Sequence, residues 1–198
     1  MSKKAYSDKE REIIRTELMK RAETLFRKKG LQSTSIDEIY APVGISKTFF
    51  YSFFPSKIHL AEAVINDEFV KIRTSFHGNV WDYGAENGMK ETLKEMVDGK
   101  YYFPTIEDQA YMRNQMSEAE LSAFQDGLSD VFADMLNTIG IPETRLEPGV
   151  FCNLMMSILI TGTIQENSTV LMYPDVSTKV SGIQIDEFVS YVLRMKVN

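Results

Sequence analysis

The chain has 198 residues, of which 43 % are hydrophobic and 25 % charged, which is typical of a soluble globular protein. Its single cysteine, Cys152, excludes an intrachain disulfide framework and suits a reducing cytoplasm. No N-terminal signal pattern is visible, and the longest apolar run, residues 154–160, is too short to span a bilayer. We therefore expect a cytoplasmic protein rather than a secreted or membrane-spanning one.

The net charge of −6 is unevenly distributed along the chain. Residues 1–58 contain 12 Lys and Arg against 7 Asp and Glu, a net charge of +5, whereas residues 59–198 carry −11. This asymmetry is expected of a protein in which only the N-terminal part meets phosphate. The alternative is a chance excess of cations on a solvated helix. We predict two domains with the boundary between residues 58 and 59.

The first predicted helix covers residues 9–29, where Leu18, Ala22 and Leu25 share one face. Gly30 is expected to end it as a C-cap, after a basic last turn that suits the helix dipole. This helix should support the elements that follow rather than read bases.

Two short helices with a glycine between them are predicted next. Ser35 and Glu38 form a capping-box pattern, so a helix should begin at Ile36. Gly44 can adopt a positive φ and turn the chain, and Ser46 is a good N-cap for the second helix. This order predicts a helix-turn-helix, whose second helix lies in a DNA major groove.

The stretch resembles the DNA-binding head of the tetracycline-repressor (TetR) family. The matching positions, in order along the chain, are Gly30, Thr34, Ser35, Ile36, Ile39, Gly44, Ile45, Ser46, Tyr51, Phe54, Lys57 and Leu60. The resemblance covers about the first quarter of the chain. It implies an all-α protein with an N-terminal three-helix head, here residues 1–58. It also implies a larger helical body for ligand binding and dimerisation, here residues 59–198.

Four residues depart from the family pattern. Tyr40 stands where alanine is usual, and Pro42 lies inside the first helix of the motif, which should therefore be short or distorted. Thr48 and Phe49 stand where the family has a small Gly-Thr pair. Phe49 could contact a thymine methyl group, or it could be packed away by a rotated helix.

The resemblance implies a set of DNA-binding residues, of which four would hold phosphates and four would face bases. The phosphate contacts are Thr34, Ser46, Tyr51 and Lys57, and the base-facing residues are Lys47, Thr48, Phe49 and Ser52; Ser35 completes the predicted interface. Two such heads in a dimer would occupy successive major grooves about 34 Å apart on a pseudo-palindromic operator.

The rest of the chain is predicted to be helical, with proline and glycine between the segments. A helix over residues 56–76 should end at His77-Gly78. Further segments are predicted at 87–102, 106–115, 118–139, 148–167 and 184–196, with 168–183 the least regular. In the family, the last two helices of each subunit pair into a four-helix bundle, which implies a homodimer through residues 151–164 and 185–195.

The body is rich in Met and aromatic residues, which can line a pocket for an apolar or aromatic small molecule. Tyr111, Met112 and Met155 are the predicted ligand-binding residues. The competing interpretation is that such residues fill the core, and the acidic excess leaves a cationic ligand as a further alternative.

No catalytic or metal-binding pattern is present, so we predict no enzyme, no metal and no cofactor. His59 and His77 have no partner at a metal-ligand spacing, and Cys152 has no basic neighbour in sequence. The predicted function is a dimeric, ligand-responsive transcription regulator, most simply a repressor that a small molecule releases from DNA. The alternatives are a helical interaction protein whose head has lost specific DNA binding and, more remotely, a small-molecule-binding enzyme on the same fold.

Overall fold

The computed structural model describes residues 6–166, 173 and 176–196, and within these ranges it contains eight α-helices, one 3-10 helix and no strand. In chain order they are α1 (Asp8–Lys29), α2 (Ile36–Tyr40), the 3-10 helix (Ala41–Val43), α3 (Lys47–Phe50), α4 (Lys57–Val97), α5 (Ile106–Gln115), α6 (Glu118–Thr138), α7 (Pro148–Glu166) and α8 (Ser177–Leu193). The predicted all-α fold class is confirmed.

Several helix bounds follow from local signals. α5 spans the predicted residues 106–115, and the Thr105 hydroxyl caps it by accepting the Asp108 N–H at 3.1 Å. The helix predicted at 118–139 ends one residue earlier, at Thr138, and α7 covers the predicted residues 148–166, whereas residue 167 lies outside the described residues. The start predicted for the last helix was wrong, because α8 begins at Ser177 rather than at residue 184. Within the irregular segment predicted at 168–183, residues 168–172, 174 and 175 lie outside the described residues.

The break predicted at His77-Gly78 was also wrong. Helical structure continues through both residues to a kink at Gly84, whose φ of 78° and ψ of 169° lie outside the helical region. A glycine inside a helix costs only about 1 kcal/mol relative to alanine. Burial of Phe76, which is 1 % exposed, favours continuing the helix through Gly78.

The kink at Gly84 folds the second half of α4 back along the first. The Ser75 hydroxyl donates to Glu95 at 2.7 Å, and the Asn79 amide donates to Thr92 at 3.1 Å. The predicted segment 87–102 therefore becomes the second arm of a helical hairpin, and it ends at Val97.

The described residues form two compact units. The first comprises those up to Glu68 together with Tyr102–Phe124, and the second comprises Phe69–Tyr101 and the described residues from Gln125 onward. The boundary between residues 58 and 59 stays a prediction. α5 and the start of α6 group with the N-terminal helices, which the sequence did not predict.

The core of the first unit is built around one apolar stripe of α1. The stripe packs against α2 and the 3-10 helix of the motif. The fully or almost fully buried side chains of this unit include Leu18, Ala22, Phe26, Ile39, Phe50, Phe54 and Leu60. Burying each large side chain contributes about 1.5–3 kcal/mol, so these contacts fix the orientation of the short helices.

The core of the second unit contains a chain of aromatic rings. Phe69 of α4 packs edge-on against Phe132 of α6 at a centroid distance of 5.5 Å. Phe132 meets Phe151 of α7 at 6.0 Å, and Phe151 stacks on Phe188 of α8 at 5.6 Å. These contacts join four helices around one apolar interior. None of the helices in the described ranges combines the length and apolar character needed to cross a membrane.

Candidate nucleic-acid interface

The start of α2 is fixed by a capping box, as predicted. The Ser35 hydroxyl accepts the Glu38 N–H, and the Glu38 carboxylate accepts the Ser35 N–H at 2.9 Å. Lys29 of α1 donates to the same carboxylate at 2.6 and 2.7 Å, and Arg21 donates to the Glu38 carbonyl at 2.9 Å. The Lys29 hydrogen bond, with those of Ser35, lowers the pKa of Glu38 from 4.5 to about 2.

The turn between the two helices follows from Pro42 and Gly44. α2 stops at Tyr40 and passes into the 3-10 helix, in which Pro42 occupies a position where a missing N–H is tolerated. Gly44 then adopts the left-handed conformation with φ 78° and ψ 23°, and its N–H donates to the Ala41 carbonyl at 3.0 Å. The predicted distortion by proline and the predicted glycine turn are both confirmed.

The second helix, α3, is one turn long and presents a polar exposed side. Ser46 caps it by accepting the Phe49 N–H at 3.2 Å, as predicted. Phe50 points into the core and is fully buried. Five of the predicted DNA-binding residues are exposed on or beside this helix, and these are Ser46, Lys47, Thr48, Tyr51 and Ser52. The Lys47 ammonium lies 3.8 Å from the Asp37 carboxylate, with both side chains more than half exposed.

Phe49 is half-buried by an aromatic cluster that the sequence did not predict. Tyr6 stacks on its ring with a centroid distance of 4.6 Å and an interplanar angle of 18°. Phe53 packs edge-on at 5.0 Å, and the Arg11 guanidinium lies 5.4 Å from the Phe49 ring and 4.6 Å from the Phe53 ring. Arg11 also donates to the Ser52 carbonyl at 3.4 Å. We call Tyr6, Arg11, Phe49 and Phe53 the aromatic cluster.

Two predicted phosphate contacts have internal roles in this structure. Thr34 is 1 % exposed, and its hydroxyl donates to the Gly30 carbonyl at 2.8 Å. The Lys57 ammonium donates to three loop carbonyls, those of Leu31 at 2.8 Å, Gln32 at 3.2 Å and Thr34 at 2.8 Å. Burial lowers the pKa of Lys57, although nearby Asp108 acts in the opposite direction. Their predicted contacts with DNA stay predictions.

The predicted ligand-binding residues do not all belong to one compact unit. Tyr111 and Met112 lie on α5 in the first unit, whereas Met155 lies on α7 in the second. The Tyr111 ring faces the Lys57 ammonium at 5.3 Å, and Met112 and Met155 are buried. Their role in binding a ligand stays a prediction.

The two histidines contact neighbouring polar side chains, and Cys152 is partly buried. His59 shares a hydrogen bond of 2.8 Å with Ser56 at the start of α4, and His77 lies 3.0 Å from the Asp134 carboxylate. Burial raises the pKa of Cys152 to about 11, which keeps it a thiol at neutral pH. Within the described ranges, no group of three or more His, Cys, Asp or Glu side chains is arranged to hold a metal ion.

Residues 18–64, which contain α2, the turn and α3, match the family model described as bacterial regulatory proteins, tetR family. No curated protein gives a significant match to the chain.

Solved structures match almost the whole fold at low sequence identity. A TetR-family transcriptional regulator from Streptomyces coelicolor is 16 % identical with a TM-score of 0.58, covering 90 % of this chain and 95 % of that one. The reduced form of NemR from E. coli is 12 % identical with a TM-score of 0.56, covering 93 % and 98 %. The superantigen PfiT is 17 % identical with a TM-score of 0.51, covering 86 % and 95 %. At these identities, the likeness establishes the fold alone.

Proposed function

Through residues 18–64 the chain belongs to the tetR family of bacterial regulatory proteins, and on that premise we propose that it is a dimeric, ligand-responsive repressor. It would act in the cytoplasm on a pseudo-palindromic operator. Its role as a DNA-binding transcription regulator is supported by the family match to the head.

The observation that carries the proposal is the exposed polar side of α3. Lys47, Thr48, Tyr51 and Ser52 are all exposed within about one and a half helical turns. They are held there by Ser46 at one end and by fully buried Phe50 at the centre. Side chains of these types donate hydrogen bonds to phosphates and base edges. The net charge of +5 over residues 1–58 would favour the approach to DNA.

Dimerisation is supported by exposed apolar residues on α8. This helix packs against α7 and buries Ile185, Phe188, Val189 and Val192, while Val180 and Ile183 are 39 % and 54 % exposed. In a twofold dimer, such an exposed apolar surface would meet the same surface of the partner subunit. In a dimer, two heads would contact two half-sites about 34 Å apart.

The effector would be a small apolar or aromatic molecule that binds the helical body. Met and aromatic side chains, including Met155, line the interior there and can adapt to such a ligand. The effector can lower DNA affinity only by the ratio of its own affinities for the two states of the protein.

Selection from a random pool of double-stranded DNA tests the proposed function. The proposal predicts enrichment of two inverted half-sites with centres about one helical turn apart. Variants Thr48→Ala and Tyr51→Ala should weaken binding to the selected DNA, and Glu107→Ala, an exposed change on α5, should not. Failure to enrich any sequence would contradict the proposal.

The half-burial of Phe49 under Tyr6 favours one alternative function, a helical interaction protein that no longer reads DNA. In that case the head would bind DNA fragments with little sequence preference. The same selection would then return no motif, and binding would depend on fragment length rather than sequence.

A further inference from the structure

α5 contacts the loop that leads into the helix-turn-helix. This loop, residues 30–34, connects α1 to Ser35, the N-cap of α2. The loop contacts the first turn of α5, although more than 70 residues separate the two in sequence. Both elements belong to the first compact unit.

The contact is made by the carboxylate of Asp108, which is 3 % exposed. Its Oδ1 atom accepts two backbone hydrogen bonds, from the Leu31 N–H at 2.8 Å and the Gln32 N–H at 3.2 Å. Hydrogen bonds to an ionised acceptor are roughly twice as strong as those between neutral groups. Asp108 therefore fixes two consecutive peptide units of the loop.

Gly30 brings the loop close to this carboxylate. Its φ of 82° is in the region that favours glycine, and an added Cβ would lie 3.4 Å from both Asp108 oxygens. An L-residue at this position would be strained in its backbone and crowded against the carboxylate. The close approach therefore depends on glycine.

The carbonyl groups of the same loop are held by the opposite charge. Lys57 donates to the carbonyls of Leu31, Gln32 and Thr34, so a cation binds the acceptors while Asp108 binds the donors. The two charges attract each other, since Asp108 raises the pKa of Lys57 against the effect of burial. The backbone of the loop is thus fixed from both its donor and its acceptor groups.

The cost of burying Asp108 indicates a specific role. Its Oδ2 atom is buried without a hydrogen-bond partner in the described structure. A buried carboxylate with an unsatisfied oxygen is expensive, and a neutral side chain would avoid that cost. Buried ionic groups of this kind can specify one particular arrangement of the chain.

We propose that Asp108 is a positioning residue for DNA binding, which acts by holding residues 30–34 at the entry to α2 and α3. The inference rests on the proposed function and deepens it, because it makes α5 a control element for the head. Loss of the Asp108 contact releases the loop and lets the start of α2 shift, which misplaces the exposed residues of α3. A ligand that displaces α5 would have the same effect.

The test compares Asp108→Ala, Asp108→Asn and the matched control Glu107→Ala in the full-length chain. Glu107 lies on the same turn of α5 but is exposed, so its removal deletes one negative charge without touching the loop. Amide hydrogen exchange of Leu31 and Gln32 reports the loop directly. Anisotropy measures affinity for pool-selected DNA, and circular dichroism confirms that helicity is kept.

We expect Asp108→Ala to accelerate exchange at the two amides at least tenfold and to weaken DNA binding at least tenfold. Asp108→Asn should have an intermediate effect and bind DNA about threefold more weakly than the unmodified chain, because a neutral oxygen can still accept both hydrogen bonds. Glu107→Ala should match the unmodified chain in both measurements.

The inference is overturned if Asp108→Ala matches Glu107→Ala in either exchange or affinity. If Asp108→Ala does not fold, the same comparison is made with Asp108→Asn, and identity with Glu107→Ala overturns it equally. Absence of selective DNA binding by the unmodified chain is a different result, which refutes the proposed function. The exchange measurement still reports the Asp108 contact in that case.

Discussion

At the scale of single residues, Phe49 is one of the departures from the family pattern. The sequence allows two positions for it, on the DNA-reading side or packed away. In the structure its ring stacks on Tyr6, meets the Phe53 ring at a steep angle and lies 5.4 Å from the Arg11 guanidinium, so it is half-buried. The start of α1 thereby becomes part of the surface around α3, and Tyr6 and Arg11 join the candidate interface.

A double-mutant cycle with Tyr6→Ala and Phe49→Ala tests the aromatic stack. Stacked aromatic pairs contribute about 0.5–1.5 kcal/mol beyond their burial, so we expect a coupling free energy of that size in urea unfolding. The control cycle pairs Tyr6→Ala with Thr48→Ala, whose side chain is exposed, and should give a coupling near zero. Equal coupling in the two cycles would mean that the stack does not form in solution.

The pKa of Glu38 makes the start of α2 sensitive to acid. Since its folded pKa is about 2 and the ordinary value is 4.5, the ionised form stabilises the fold fully above pH 4.5. That contribution is lost progressively as the pH falls through 4.5 towards 2. A carboxyl NMR titration should give a midpoint near 2 for Glu38.

Lys29→Ala provides the companion measurement for Glu38. Because the Lys29 hydrogen bond is the largest cause of the lowered pKa, its removal should move the Glu38 midpoint upward towards 4.5. A midpoint near 4.5 in the unmodified chain would contradict the capping geometry, and no change in the variant would contradict the Lys29–Glu38 hydrogen bond.

At the scale of elements, the kinked hairpin of α4 depends on a close backbone approach. A Cβ added at Gly88 would lie 2.6 Å from backbone atoms of Val80, a distance that requires the two arms to move apart. A Cβ added at Gly78, on the first arm, would lie in open space. The two glycines therefore have opposite expected responses to alanine.

Gly88→Ala should destabilise the protein by about 1–3 kcal/mol, the usual cost of overpacking. Gly78→Ala should stabilise it by up to about 1 kcal/mol, since alanine favours the helix. Thermal or urea unfolding followed by circular dichroism measures both. A Gly88→Ala variant as stable as Gly78→Ala would exclude the close approach.

The elements that sequence predicted well are those set by neighbouring residues. Ser35 with Glu38, Gly44 and Ser46 encode the motif locally, and Thr105 encodes the start of α5, so each was placed correctly. The missed features depend on distant contacts. The sequence predicts a break at Gly78, because local patterning does not report the burial that offsets the cost of glycine in a helix.

The candidate site shows the same division between local and distant contacts. Lys47, Thr48, Tyr51 and Ser52, which the motif predicts as DNA contacts, are exposed on or beside α3, and their contact with DNA stays a prediction. The internal hydrogen bonds of Lys57 and the docking of Asp108 could not be predicted, because they join residues 23 to 77 positions apart. No sequence period or spacing relates such residues.

At the scale of the whole molecule, dimerisation is the prediction that the DNA-binding proposal requires. Ile183→Glu introduces a charge at the exposed apolar side of α8 and should convert the dimer into a monomer at micromolar concentration. Ile13→Glu on α1 is the control, because Ile13 is similarly exposed at 60 % but lies in the first unit. Sedimentation equilibrium distinguishes the two states. A monomeric unmodified chain, or a dimer that tolerates Ile183→Glu, would count against this surface.

Sequence reading by α3 is tested most directly by fluorescence anisotropy with pool-selected and unrelated DNA over a salt series. We expect the protein to bind the selected DNA at least about 10³-fold more tightly at physiological salt, and its affinity to fall steeply as salt rises because phosphate contacts release counterions. Lys47→Ala should lower the affinity for selected DNA and reduce the salt slope by about 1 if it contacts phosphate, or relax one position of the motif if it contacts a base. Equal affinity for both DNAs, unaffected by Lys47→Ala, would contradict the claim that α3 reads sequence.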